Sequence, residues 1–486
     1  MDDLANPPAV TAPVAAVSEA LDPNRWAALA VLLVGAFLAP LDFFICNVAM
    51  PAITEGLHAS AADVQLVISG YAVVYAVFLI TGGRLGDIYG RKTIFLVGLT
   101  GFAIASGLCG LAWSPLSLIL ARLLQAFTAA LMAPQALSSV HALFPPHERG
   151  RALSIYAVAL GLSSAIGQML GGFLVAADVA GLGWRLVFLI NLPVAIIAVI
   201  AATPLLKQTH SAHRPTLDWG GVILSSLALS ALVVPLVEGR EQGWPIWSII
   251  MLIAAPFLAF AFCRFELRVA ARGGDPLVAV EVFETPGLLR GLGAILTLYA
   301  MAAFFLTYSI YLQEGLGFTA FQAGMAIVPF SLGLITGSTA SPTLGRWMGR
   351  FAPSLGFAMS AGGLLCLSAL TAWFPTGHIP PWSLMTPALV LLGLGLGMSF
   401  PTMVRVIVER VAPQRAGLVG GVVNSVLQVS AALGVALLGG LFYVLLAGHS
   451  DVASITHAFS YTLLGVACCH ILGGALAAGL GQKRAA

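Results

Sequence analysis

The sequence predicts an all-α polytopic membrane protein, a bundle of about fourteen spanning helices. Three observations carry that reading. Of 486 residues, 59% are hydrophobic and only 9% are charged, against roughly 25% charged in a soluble domain. So little charge cannot solvate the surface of a globule of this size. The apolar runs extend to about 20 residues, the length of a spanning helix, rather than alternating over about ten as barrel strands do. The basic residues, finally, fall almost entirely in alternate connections between those runs. In a bilayer core only helices and closed barrels satisfy their own backbone hydrogen bonds, so runs of this length are helices.

Taken in order, spans are expected near residues 26–49, 62–82, 93–113, 116–139, 151–175, 185–205, 218–238 and 246–267. A second group follows near 290–312, 322–344, 354–373, 383–404, 417–446 and 457–480. An even count places both termini on one side. Arg84, Arg91, Lys92, Arg149, Arg151, Lys207, Arg214, Arg264, Arg268, Arg272, Arg290, Arg346, Arg350, Arg405, Arg410 and Arg415 lie on that side, with Arg25, Lys483 and Arg484. Only Arg185 and Arg240 lie opposite, and Arg122 lies within a span. By the positive-inside rule the termini are cytoplasmic, and the expected location is the inner (cytoplasmic) membrane, multi-pass. One missed helix would scatter the arginines, so their segregation also supports the count.

The longest polar connection, about residues 267–289, carries Arg268, Arg272, Asp275, Glu281 and Glu284 and divides the chain after the eighth span. Each half has a Gly-Arg pair after an inward-running helix, Gly83-Arg84 and Gly345-Arg346, the kind of weak internal symmetry that transporter repeats leave. The expected organisation is a disordered cytoplasmic N-terminus over 1–25, a six-helix bundle over 26–205 and two inserted helices with their connection over 206–289. A second six-helix bundle over 290–480 and a cytoplasmic tail over 481–486 complete it. Residues 1–24 are Ala/Pro-rich, carry Asp2, Asp3, Glu19 and Asp22, and lack the basic start and cleavage site of a signal peptide.

The remaining composition excludes several classes. Six cysteines (Cys46, Cys109, Cys263, Cys366, Cys468 and Cys469) all fall in apolar segments without metal-ligand spacing, which makes them small packed side chains. A net charge of +2 gives no footprint for nucleic acid. No HExxH pair or phosphate-binding loop occurs, so neither a metal nor ATP chemistry is expected, and the chain is not read as an enzyme.

Two residues stand out inside spans. Asp42 is the one acid, and Arg122 the one base, placed deep by these boundaries. An ionisable group there costs about 2.5–3.5 kcal/mol on insertion scales, so a functional reading is the default. At about 1.5 Å per residue each lies roughly 12 Å below the outer end of its helix. Their depths match, and direct or water-mediated pairing is allowed. A movement that changes their separation would load or release a proton, because a nearby cation favours the carboxylate and burial disfavours it. The alternatives are a static pair locking two helices, or Asp42 as a site for a cationic substrate.

Between the second and third spans lies Gly83-Arg84-Leu85-Gly86-Asp87-Ile88-Tyr89-Gly90-Arg91-Lys92. Its glycines allow a tight turn and close helix approach, and Asp87 can pair with arginines at a helix end. Such a cluster can latch one conformational state and break in another. Gly167 and Gly171 form a GxxxG pair in the fifth span, a spacing that lets helices approach closely. Met301, Phe304, Phe305, Tyr308 and Tyr311 form a stripe at i, i+3, i+4, i+7 and i+10 on the ninth span, suited either to a lipophilic ligand or to packing. Tyr71 and Tyr75 on the second span, and the amides Asn424 and Gln428 on the thirteenth, carry the same two readings.

The 83–92 loop resembles the signature loop of the major facilitator superfamily. Leu41-Asp42-Phe43-Phe44-Ile45-Cys46-Asn47-Val48-Ala49-Met50-Pro51 is similar to the first-helix motif of its fourteen-span drug:proton antiporters. Trp184-Arg185 with Phe188, Ile190-Asn191 and Pro193 resembles their sixth-helix motif. Arg122 with Gln125 ahead of Pro134 resembles the fourth-helix motif, and Gly161, Gly167, Gly171 and Gly172 the fifth. Two positions depart: Gln168 stands where the fifth-helix motif usually has proline, and Ala126 follows Gln125 where glycine is frequent.

The resemblance covers nearly the whole chain. It implies a major facilitator fold of two six-helix bundles plus two inserted helices, exporting by alternating access with the proton gradient as energy source and no cofactor. It also implies that Asp42 and Arg122 couple protons and that the 83–92 loop is the conformational switch, and it adds Gln125 to the candidate substrate-binding residues.

With only one deep acid to compensate buried positive charge, small lipophilic, neutral or monocationic substrates are expected. A dedicated exporter of an endogenous metabolite or antibiotic is the alternative, with an inward symporter or a non-transporting receptor behind it. The expected partners are the substrate and the lipid bilayer; a monomer is expected, and a periplasmic adaptor is left open.

Overall fold

The computed structural model describes residues 22–209, 216–239, 242–278, 283–374, 381–411, 416–446, 449 and 451–481. Most of the two expected tails lies outside the described residues, as do Arg214, Arg240, Arg415, Lys483 and Arg484 and the side chains of Gln168, Asn424 and Gln428. The described chain is helical almost throughout. Its elements are α1 (Arg25–Leu57), α2 (Ala61–Tyr89), α3 (Arg91–Gly110), α4 (Pro115–Leu143), α5 (Pro146–Ala177), α6 (Leu186–Leu189), α7 (Asn191–Leu205), α8 (Trp219–Glu238) and α9 (Ile246–Ala271). After the connection come α10 (Leu288–Leu298), α11 (Met301–Ile310), α12 (Ala320–Ala326), α13 (Val328–Met348), α14 (Ala352–Trp373), α15 (Trp382–Val408), α16 (Ala416–Leu433), α17 (Gly440–Leu446) and α18 (Val452–Ala478).

Among the described residues, twelve helical stretches are long and apolar enough to cross a membrane, two fewer than the fourteen expected. The two outside that set are α5 and the α16–α17 rod. The first is a continuous helix of 32 residues, long enough to cross a membrane. The second is interrupted by a π-helical segment at Gly434–Gly439.

Several helix starts are set by local hydrogen bonds. Ser60 Oγ accepts from the Asp63 amide at 3.2 Å while Asp63 returns the bond to Ser60. Ser114 with Ser117, and Thr319 with Gln322, repeat this reciprocal box at α4 and α12. At the other end of α2, Gly90 takes φ +94°, a conformation open to glycine, and turns the chain straight into α3.

Two bundles result. In the first, α2 and α3 flank α4, and α1 lies along α5. In the second, α13 and α14 flank α15, and α14 packs on α18. The correspondence is detailed. A Cβ on Gly82 of α2 would run into the Ala130 carbonyl of α4, and one on Gly333 or Gly337 of α13 into the Val390 or Leu394 carbonyl of α15. The bundles meet along two seams: α5 against α12, α13 and α15, and α2 with α4 against α16. The α8–α9 hairpin covers the second seam, with α8 touching both α2 and α16. Its α9 turns Ile246, Ile249, Ile250, Ile253, Phe257 and Phe260 outward, a face suited to lipid.

Candidate functional site

Asp42 and Arg122 are both fully buried and form a direct ion pair between α1 and α4. Neither charge is left with one partner. Asp42 Oδ2 accepts from Arg122 Nη1, while Oδ1 accepts from Gln125 Nε2 at 2.9 Å and from Asn191 Nδ2 at 2.7 Å. Arg122 Nη1 also donates to Gln125 Oε1 at 2.8 Å, and Nε donates to the Val67 carbonyl of α2 at 3.3 Å. Ser106 of α3 receives Gln125 Nε2 at 2.7 Å. The guanidinium lies over the Tyr71 ring, 4.2 Å from its centroid, with Phe188 on a second side at 5.7 Å. Six helices, α1 to α4 with α6 and α7, thus converge on one buried charge pair. Desolvating it costs several kcal/mol per ion, which these hydrogen bonds offset in part, since Arg122 Nη2 has no partner among the described residues.

The local sequence explains how each group arrives. Arg122 and Gln125 are three residues apart and share one face of α4. Asn191 is placed by the residues before it: Trp184 packs on Gly56 of α1, and Arg185 Nη2 donates to the Ala112 carbonyl beyond α3 at 3.0 Å. The Trp-Arg pair therefore anchors the short stretch that aims Asn191 at Asp42. On the far side, Gly167 and Gly171 of α5 face the turn of α1 that carries Asp42; a Cβ at either would stand 2.9 Å from the carbonyl oxygen of Leu41 or Ile45. Gly172 is half-buried beside them, and Gly161 faces Leu334 of α13 in the other bundle.

The 83–92 loop forms a second constellation. Gly86 lies against the Gln135 amide of α4, whose Nε2 donates to the Gly82 carbonyl at 2.8 Å and to that of Leu131 at 2.9 Å. Arg91 bridges Asp87 at 3.5 Å and the Ser138 carbonyl at 3.0 Å. Lys92 Nζ donates to the Thr203 carbonyl at the end of α7 at 2.6 Å. Arg84 Nε is buried without a hydrogen-bond partner among the described residues.

The aromatic candidates divide. Tyr71 joins the charge pair, and its hydroxyl donates to the Ala39 carbonyl at 3.1 Å; Tyr75 stacks on it at 6.1 Å between centroids. Met301, Phe304, Tyr308 and Tyr311 point into the core of the second bundle, where Tyr311 stacks on Phe459 at 4.7 Å. Of the same stripe, Phe305 is the ring that reaches the first bundle, 6.5 Å from Phe44. Sequence reading also left Ser106 outside the site, and took Asn191 only as part of a motif. Uncharged polar residues are too common in apolar helices to stand out alone.

Among the described residues no cluster of His, Cys, Asp and Glu could hold a metal ion. The family model described as Major Facilitator Superfamily matches residues 32–435. The chain belongs to that superfamily. Its relatives include a probable actinorhodin transporter of Streptomyces coelicolor, 38% identical over 89% of this chain and 75% of the relative. Another is a tetracenomycin C resistance and export protein of Streptomyces glaucescens, 35% identical over 85% of this chain and 75% of the relative. A puromycin resistance protein of Streptomyces alboniger is 35% identical over 86% of this chain and 82% of its own length. The crystal structure of the human organic anion transporter MFSD10 superposes with a TM-score of 0.65, covering 94% of this chain and 100% of that one at 16% identity. That likeness establishes the major facilitator fold, and the chain is a multi-pass membrane protein with that fold.

Proposed function

We propose that this major facilitator protein is a proton-coupled exporter of small lipophilic, neutral or monocationic compounds, working by alternating access across fourteen spans with both termini cytoplasmic. The observation that carries the proposal is the fully buried Asp42–Arg122 pair tied to Gln125 and Asn191. Asp42 is the group that takes up the proton. Once neutral it no longer compensates Arg122, so the helices bearing the two residues, α1 and α4, are driven to a new arrangement. Asn191 suits both states. Its Oδ1 is buried without a partner among the described residues, and a turn of the amide about χ2 presents an acceptor to the new O–H where the donor stood.

The six-plus-two-plus-six organisation with 26–205 and 290–480 as bundles fits the paired packing of α2 on α4 and α13 on α15. Export is favoured by relatives named as a probable actinorhodin transporter, a tetracenomycin C resistance and export protein and a puromycin resistance protein. Those names equally suit a dedicated exporter of one antibiotic, which a panel of substrates separates from a broad pump.

The test is efflux from proteoliposomes driven by an imposed proton gradient. Asp42→Asn is expected to abolish gradient-driven export and substrate-dependent proton flux. Substrate-dependent proton flux equal to that of the native chain would overturn the proposal.

A further inference from the structure

Away from the Asp42 site, two carboxylates meet at the base of the α8–α9 hairpin. Glu266, near the end of α9, is fully buried. Its Oε2 accepts from the Val278 amide at 2.9 Å, and its Oε1 has no hydrogen-bond donor among the described residues. Asp218 caps α8 by accepting from the Gly221 amide at 3.0 Å through Oδ1, and its buried Oδ2 is also without a donor among the described residues. Both bare oxygens crowd the same point. A Cβ on Gly221 would stand 2.8 Å from Asp218 Oδ2 and nearer still to Glu266 Oε1.

The surroundings are apolar and belong to several elements. Val222, Leu277 and Val278 form a buried cluster with Ile80 of α2, Phe262 of α9 and Val422 of α16 packed against it. Arg84 of α2 is the cation on which both carboxylates act, together with Asp87 of the same helix and Asp275 of the connection, which accepts from the Thr216 amide at 2.9 Å. Cys263 lies one turn back on α9. The α16 helix carries no charged residue.

Two carboxylates with facing, donor-free oxygens cannot both stay ionised in such a setting; one proton between them turns repulsion into an O–H···O⁻ hydrogen bond. We propose that Asp218 and Glu266 form a second proton-binding site, a carboxyl–carboxylate pair whose proton occupancy is tied to the position of Arg84. With one proton the pair bears a single negative charge opposite the Arg84 guanidinium. When the proton leaves to water the pair bears two, and draws Arg84 and the glycine loop behind it toward the hairpin. The hairpin thereby senses protonation at the seam it covers, independently of whether Asp42 drives export.

Infrared spectroscopy of the full chain in lipid nanodiscs tests this. At about pH 6, where exposed carboxylates are ionised, the native chain is expected to show a carboxylic C=O band that shifts in D₂O. The band is lost in Glu266→Gln and in Asp218→Asn and kept in Asp42→Asn. Should one of the first two variants fail to accumulate, the other makes the same comparison. A native spectrum with no carboxylic band, or a band unchanged in whichever variant is measured, would overturn the proposal. Arg84→Gln removes the cation that favours the ionised pair. The band should then persist to higher pH by about one unit, a tenfold change in proton concentration; an unmoved midpoint would refute the tie to Arg84.

Discussion

Gly167 of α5 sits on the backbone of Leu41, the residue before Asp42, so closely that a Cβ would stand 2.9 Å from the Leu41 carbonyl oxygen. The neighbour is backbone and cannot rotate aside. Gly167→Ala should therefore push α1 and α5 apart at the Asp42 turn, at about 1–3 kcal/mol for overpacking of this kind. The expected outcome is a lower thermal unfolding midpoint in detergent together with reduced export, and Gly167→Val should be worse in both. Gly172→Ala, at a half-buried position, serves as the control.

The Asp42–Arg122 pair makes a prediction about stability that is separate from transport. Removing one charge strands the other in a dry setting, at about 3–5 kcal/mol, whereas removing both need not destabilise at all. Asp42→Asn should thus melt earlier than the native chain, and Asp42→Asn with Arg122→Gln should recover most of that loss while remaining inactive. Equal melting of the single and double variants would show that the pair contributes no mutual compensation.

At the loop, Gly86 faces the Gln135 amide. Gly86→Ala should displace that side chain and break its bonds to the Gly82 and Leu131 carbonyls, at about 1–3 kcal/mol for the buried groups left bare. Shortening the obstacle tests the cause: Gln135→Ala added to Gly86→Ala should relieve the clash and lessen the defect. Additive losses in transport assays would argue against direct contact.

Asn191 supplies one of three donors to Asp42. Asn191→Leu keeps the volume and removes both the donor and the acceptor that the protonated state needs. Proton-driven export should fall by an order of magnitude or more, the scale of about 1.4 kcal/mol, with normal membrane abundance on immunoblots. Asn191→Ala, which opens space for water, should retain more activity.

The helical architecture and the Asp42–Arg122 pairing could be read from the chain because an isolated charge in an apolar run is conspicuous, and its depth follows from counting residues along the helix. What could not be read was azimuth. The ninth-span stripe has the right period, yet Phe304, Tyr308 and Tyr311 turn to the core and Phe305 turns to Phe44. Neighbours one position apart differ by about 100° on a helix, and only tertiary packing chooses between them. Glu266 shows the same gap: sequence placed it near the end of a helix, and only the fold reveals that the facing side chain is another acid. Asn191 was visible in a motif, but its role depends on Trp184 and Arg185 holding a short helix against α1 and α3.

The α8–α9 hairpin makes the two seams between the bundles unequal. On one side α5 meets α12, α13 and α15 with no further helix laid over the junction among the described residues; on the other, α8 bridges α2 and α16. The bilayer therefore meets a bare seam on one flank and a wall on the other. Rocking of the bundles must carry the wall along with α2, slide it over α16, or detach it. The protein consequently has a handedness toward the membrane around it that two bare six-helix halves would lack.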